Sequence, residues 1–186
     1  EKFLKEIFNG DWDAEEKQKL VIEAMGYSLV PTNKFEKFFL MVGSGANGKS
    51  VLLDTLKSLL GKDQISAVEP GKFSDRFHRG HLFGKLANVI TEVPTGHMIA
   101  DAQLKAIVSG DLITGEYKHE PPFEFNPFAT LWFATNHMPS TRDHSEAIYR
   151  RAVVIRFNRT FAEHEQDRDL QAALREELPG ILNLAL

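Results

Sequence analysis

Cysteine is absent from the 186 residues. That excludes disulfides and thiolate zinc sites and fits a reducing compartment. No apolar run approaches the ~18 residues that cross a membrane, and no secretory signal is visible. Neither charge dominates: 22 Lys and Arg face 26 Asp and Glu, a formal net charge of -4. A surface basic all over is thereby excluded, although a few cations on one loop can still grip nucleic acid. Internal repeats and low-complexity segments are missing too. Tryptophan and tyrosine are scarce at 2 and 3, against 14 phenylalanines, which read as core rather than as a base-stacking platform. The histidines, among them His78, His81, His97, His137, His144 and His164, are scattered, with carboxylates poorly placed beside them. Zinc is not expected there.

The composition, 42 % hydrophobic and 26 % charged, suits one globular domain with a small helical appendage. The chain opens at Glu1 and stops inside a helical-looking run, 181–186, so a piece of a longer protein is expected. Phe3, Leu4, Ile7 and Phe8, then Leu20, Val21, Ala24 and Met25, recur at helical spacing. Residues 1–32 therefore read as a helical lead-in and 33–186 as the core. Apolar runs at 38–42, 86–91, 129–135 and 152–157 read as buried strands. Helices are expected at 51–60, 102–108, 164–176 and 178–186, and extended segments around turns at 110–127. Strands alternating with helices predict an α/β fold, a mostly parallel sheet covered on both faces.

Between the first strand and its helix stands Gly43-Ser44-Gly45-Ala46-Asn47-Gly48-Lys49-Ser50, followed by Val51. Two glycines bracketing four residues before Lys-Ser aim backbone N–H groups at a phosphate. The following helix adds its positive dipole end. Lys49 is expected to reach the β- and γ-phosphates and Ser50 to ligate Mg²⁺. Glu92 closes the second strand, where a carboxylate can hold the metal or orient water; the ordinary alternative is a solvated loop residue. Asn136 closes the third strand and could hydrogen-bond the γ-phosphate or the attacking water. Downstream stand Arg142, Asp143 and His144, then Tyr149-Arg150-Arg151. Those last two arginines could neutralise phosphoryl charge, pair with surface carboxylates, or divide a catalytic and a structural role.

The ordered set resembles the superfamily 3 helicase domain of the phage and plasmid primase-helicase family, the C-terminal ATPase of satellite-phage and poxvirus-type primases. The resemblance rests on 43–50, Ile90-Thr91-Glu92-Val93-Pro94, Leu104-Lys105 with Ser109-Gly110-Asp111, and Glu116-Tyr117-Lys118. It continues through Phe133-Ala134-Thr135-Asn136-His137-Met138-Pro139 and Tyr149-Arg150-Arg151. It implies an AAA+-like P-loop core that hydrolyses ATP with Mg²⁺, with Lys49 and Ser50 as the Walker A pair. By the same resemblance Glu92 is the Walker B acid, Asn136 the sensor, and Arg151, or failing it Arg150, the finger offered to a neighbouring subunit. Residues 105–125 would carry a DNA-gripping hairpin with Lys118 and His119 near its tip, and Lys105 as a further contact. Many relatives carry two adjacent acids where this chain has Thr91-Glu92.

The implied protein is an ATP-dependent DNA helicase or translocase of a mobile-element or viral replication system. It forms a ring of six on single-stranded or forked DNA, with a primase module in the same full-length chain and no membrane partner. Its setting is the cytoplasm of a bacterial host or of a virus-infected cell. Two other readings stay open: a non-catalytic, nucleotide-switched assembly module, and another P-loop NTPase or kinase, although no Asn-Lys-x-Asp guanine reader is present. Phe73 and Phe77, beside Lys72, Arg76 and Arg79, form a second candidate DNA groove.

Overall fold

A computed structural model describes residues 1–93, 101–137 and 146–186. Pro94, His97, Met138, Pro139, Arg142, Asp143 and His144 lie outside the described residues. The chain runs α1 (Lys2–Ile7), α2 (Ala14–Tyr27), β1 (Phe38–Val42), α3 (Lys49–Leu60), β2 (Ile65–Ser66), α4 (Arg76–Gly80) and β3 (Ala87–Ile90). It continues α5 (Asp101–Ser109), β4 (Ile113–Gly115), β5 (Phe123–Phe125), β6 (Thr130–Thr135), α6 (Glu146–Tyr149), β7 (Ala152–Arg156), α7 (Leu170–Glu176) and α8 (Leu178–Ala185).

Five strands make one sheet in the order β2-β3-β6-β1-β7, and every neighbouring pair is parallel. Helices pack on both faces, the α/β arrangement expected from the apolar runs. Alternation along each strand divides the core in two. Phe39, Met41, Val89, Trp132 and Ala134 face α1, α2 and α3. Phe38, Leu40, Ile90, Leu131 and Phe133 face α5 and the β4–β5 hairpin. Because both faces are covered, the strands read as continuous hydrophobic runs and not as alternating ones. Phe39 stacks on Trp132 at 4.4 Å between centroids, and the Trp132 indole N–H donates to the Ser28 hydroxyl at 3.0 Å. The lead-in shares this core through Phe3, Ile7, Phe8, Val21 and Met25. It is also tied by charge: the Lys17 ammonium lies 2.8 Å from Asp11 and 3.0 Å from Asp13.

Several elements differ from expectation, among them the short helices α4 and α6, which are additional. The helix expected over 164–176 begins only at Leu170. Residues 163–165 form a single 3₁₀ turn, and the Asp167 carboxylate then accepts the Asp169 N–H at 2.9 Å, a local turn that competes with helix. The edge strand β2 is additional. It is held by the buried Asn88 side chain, which accepts from the Ser66 hydroxyl at 2.9 Å and the Val68 N–H at 2.7 Å and donates to the Val68 carbonyl at 3.0 Å. Among the described residues no helix is long and apolar enough to cross a membrane.

Candidate functional site

Parallel strands bring their carboxyl ends to one edge, and the loops that leave that edge build the site. Gly43 follows β1, Thr91 and Glu92 follow β3, and Asn136 follows β6. Gly48 caps α3 with φ +88. A Cβ there would also lie 2.6 Å from Ile7 Cγ2 of α1, so glycine is required twice over, by backbone angle and by space. At Gly43 a Cβ would strike the Phe157 carbonyl and would sit 2.6 Å from Asn47 Nδ2. The loop is closed on itself. The buried Asn47 amide donates to the Ser44 carbonyl. The Lys49 ammonium donates to the Gly43 carbonyl at 2.6 Å and to Asn47 Oδ1 at 3.0 Å.

Gly45 to Val51, Thr91, Glu92, Thr135 and Asn136 line one cleft of about 300 Å³. Lys49 is 6 % exposed. Burial pulls its ammonium below the ordinary lysine value, and the negative charge of Glu92 opposes that pull. The lysine is thus a desolvated cation whose direct contacts are neutral acceptors, a state that an entering polyanion relieves. Thr135 fixes the turn that carries Asn136: its hydroxyl donates to the His137 carbonyl at 2.7 Å and accepts from the His137 N–H at 3.3 Å. Among the described residues no group of three or more His, Asp or Glu could hold a metal. The Ser50 hydroxyl and the Glu92 carboxylate, both on this cleft, are hard oxygen donors. They fit a Mg²⁺ that takes its remaining ligands from phosphate and water.

The other candidates lie elsewhere. Arg150 and Arg151 precede β7, at the opposite edge of the sheet from the cleft. Arg151 is buried and donates to the Ala147 carbonyl at 3.0 Å, to Glu36 Oε2 at 2.7 Å and to the Ser109 hydroxyl at 2.7 Å. Arg150 is exposed. Lys118 and His119 are exposed in the connection of the antiparallel β4–β5 hairpin, and His119 has φ +69. Lys105 is half-buried on α5.

The second candidate groove keeps only part of its set: Lys72, Arg76 and Phe77 are exposed, and Phe73 is not. Phe73 is fully buried, and Arg76 and Arg79 brace the hairpin: Arg76 pairs with Glu116, and Arg79 donates to the Thr114 carbonyl at 2.9 Å. Sequence reasoning missed the strap that follows β7. There the Phe161 N–H donates to the Ala46 carbonyl at 2.7 Å, and the Thr160 and Ser44 hydroxyls are 3.2 Å apart. No local pattern announces contacts across more than a hundred residues.

A family model described as a family of unknown function (DUF5906) matches residues 41–151. Over 163 residues the chain is 26 % identical to the putative helicase L207/L206 of Acanthamoeba polyphaga mimivirus, a match covering 80 % of this chain and 16 % of that protein. Among solved structures, the A form apo structure of the NrS-1 C-terminal region matches with a TM-score of 0.76 at 19 % identity, over 99 % of this chain and 43 % of that one. A further apo structure of that region matches at 0.75 and 18 % identity, over 99 % and 44 %. At these identities the likeness to NrS-1 speaks for the fold alone.

Proposed function

Because the chain belongs to the family of unknown function DUF5906, its activity has to be read from its own residues, and we propose that it is the ATP-hydrolysing domain of a ring-forming DNA helicase or translocase. The observation that carries this reading is one cleft lined together by Lys49, Ser50, Glu92 and Asn136. The name of the mimiviral relative supports the helicase assignment. Residues 33–186 form the core in this reading, and 1–32 pack onto it.

The loop N–H groups and Lys49 bind the β- and γ-phosphates. Ser50 and Glu92 would hold Mg²⁺, which when bound would offset charge on the phosphates. Water attacks the γ-phosphorus as the bond to the β–γ bridging oxygen breaks. Glu92 orients that water and receives its proton, and Asn136 hydrogen-bonds the γ-phosphate or the water without adding negative charge. Arg151 is held by its own chain, so Arg150 is the finger that reaches a neighbouring subunit's nucleotide. Lys118 and His119 contact phosphates of single-stranded or forked DNA, with Lys105 behind them, and this grip is salt-sensitive and sequence-independent. The whole protein is a mobile-element or viral replication factor, a ring of six with a primase module in the same chain, acting in the cytoplasm of its host cell.

Steady-state ATP turnover with and without single-stranded DNA tests the reading. Lys49→Ala and Glu92→Gln are expected to lose turnover by about 10²-fold or more, in line with removing a group that acts in phosphoryl transfer. Unchanged turnover in both variants would reject it. Turnover absent from the assembled wild-type protein would favour the nucleotide-switched assembly module instead.

A further inference from the structure

One polar junction of the fold has no part in the chemistry at the cleft. Arg151, Glu36 and Ser109 close a ring of three hydrogen bonds. Arg151 Nη2 donates to Glu36 Oε2 and to the Ser109 hydroxyl, each at 2.7 Å. The Ser109 hydroxyl donates to the same Glu36 oxygen at 3.2 Å. The three residues come from the approach to β1, the last position of α5 and the approach to β7.

The junction sits between the arginine and the DNA contact of the proposed function. On one side, Arg151 directly follows the exposed Arg150, and the ammonium of Lys37, next to Glu36, donates to the Arg150 carbonyl. On the other side, Ser109 adjoins Gly110, whose φ of +74 turns the chain toward β4. Asn126, which follows β5, donates to the Gly110 carbonyl at 2.8 Å. Both legs of the hairpin are thus fastened one residue beyond Ser109. Asn33 holds the same end of α5 through the Ile107 and Val108 carbonyls.

Two features of the junction are left unsatisfied. Glu36 is held at φ +49, a left-handed angle that strains a residue other than glycine. The buried Arg151 Nε has no hydrogen-bond partner among the described residues. Nε and Nη2 form one edge of the guanidinium, an edge that a carboxylate can take with both oxygens. Glu36 applies one oxygen there and shares it with Ser109. A turn of the carboxylate onto both nitrogens would satisfy Nε and withdraw the shared oxygen from Ser109. One arrangement holds the end of α5 by two bonds, the other by one. We infer that Glu36 and Ser109 are positioning residues that couple Arg150 to the β4–β5 hairpin, the ring of bonds being closed while Arg150 is free and opened when Arg150 engages a neighbouring copy's nucleotide. The inference rests on the reading of Arg150 as the arginine that serves a neighbour and of the hairpin as the DNA contact.

The dependence of DNA affinity on the bound nucleotide reads the coupling. Fluorescence anisotropy of the assembled protein with a labelled single-stranded oligonucleotide gives that affinity in ADP and in a non-hydrolysable ATP analogue. In the wild type the two values are expected to differ about tenfold, an ordinary size for coupling between two sites. Ser109→Ala removes a half-buried hydroxyl. Glu36→Gln replaces one acceptor oxygen by a donor, so the two-oxygen arrangement cannot form. Neither residue lines the cleft. Both variants should bring the ratio to about twofold or less, with DNA-free turnover within about twofold of wild type. Ser109→Thr keeps the hydroxyl and should restore the wild-type ratio.

A Ser109→Ala or Glu36→Gln protein that keeps the wild-type ratio overturns the coupling. So does either variant if its DNA-free turnover is lost along with the ratio, because the junction then supports the site as a whole. A Ser109→Thr protein no better than Ser109→Ala also overturns it, as does a wild type whose DNA affinity ignores the nucleotide. Failure of the proposed function reads differently. There the wild type shows no ATP turnover, or Lys49→Ala turns over as fast as wild type, and the coupling falls with it.

Discussion

Lys49 carries its charge where water barely reaches, with neutral acceptors as its direct contacts. Its folded-state pKa lies below the ordinary value because of burial. At any pH below that lowered value, the native state therefore holds the proton at a cost. As pH rises from there toward the ordinary lysine value, the native state releases its proton before the unfolded chain does, and stability rises. Lys49→Met removes the cost. The nucleotide-free variant should be more stable than wild type at neutral pH by roughly 0.5–2 kcal/mol. That advantage should shrink as the pH climbs into the alkaline window below about 10.4, and nucleotide binding should be lost throughout. Thermal melts across that pH range check it; a destabilised variant at neutral pH would show that the contacts to Gly43 and Asn47 outweigh the desolvation. The same residue-scale logic separates the two arginines. Their adjacency invites one role for either, and only burial and partners distinguish them.

Elements made from neighbouring residues are legible in the sequence, and those made from distant ones are not. The β1–loop–α3 unit follows from an apolar run, a glycine pattern and a helical stripe, all local. β2 is two residues long, and its pairing depends on Asn88, about twenty residues further on. The late start of α7 turns on the single Asp167 carboxylate. The hairpin is visible as turns and extended segments, but its brace from α4 is not, because Arg79 meets Thr114 across 35 positions.

Arg151 is the clearest element-scale junction. It joins Glu36, just before β1, to Ser109, at the end of α5 and near the hairpin base. Glu36 itself accepts from the Ser109 hydroxyl at 3.2 Å, and Asn33 caps α5 by donating to the Ile107 and Val108 carbonyls at 3.1 and 2.9 Å. Arg151→Ala should cost about 2–3 kcal/mol, as loss of charged hydrogen bonds at a buried site does, measured by urea denaturation. At the hairpin tip, exposed Lys118 should behave oppositely. Lys118→Ala should leave stability and DNA-free turnover within error and remove DNA stimulation. Intact stimulation would exclude the hairpin from the DNA path.

Over the whole molecule, the sheet separates two halves of the proposed chemistry. The cleft lies at the carboxyl edge and Arg150 at the amino edge of β7, a five-residue strand that spans roughly 17 Å. An arginine side chain does not bridge that distance back through a filled core, so in the proposed function the nucleotide that Arg150 serves belongs to another copy. A mixing experiment turns this geometry into a number. Lys49→Ala keeps the arginine but has no working loop, and Arg150→Ala keeps the loop but offers no arginine. Each alone should be inactive. Mixed in equal amounts and assembled at random, about a quarter of the interfaces pair an intact loop with an intact arginine. The mixture should then recover about a quarter of wild-type turnover per site if neighbouring sites act independently. Arg150 is exposed, and its removal should change stability by less than about 0.5 kcal/mol, so misfolding would not mimic the result. Light scattering establishes that both variants assemble as the wild type does. With assembly intact, an inactive mixture would reject independent sites completed by a neighbour's Arg150, and an Arg150→Ala variant as active as wild type would show that Arg150 is not the completing residue.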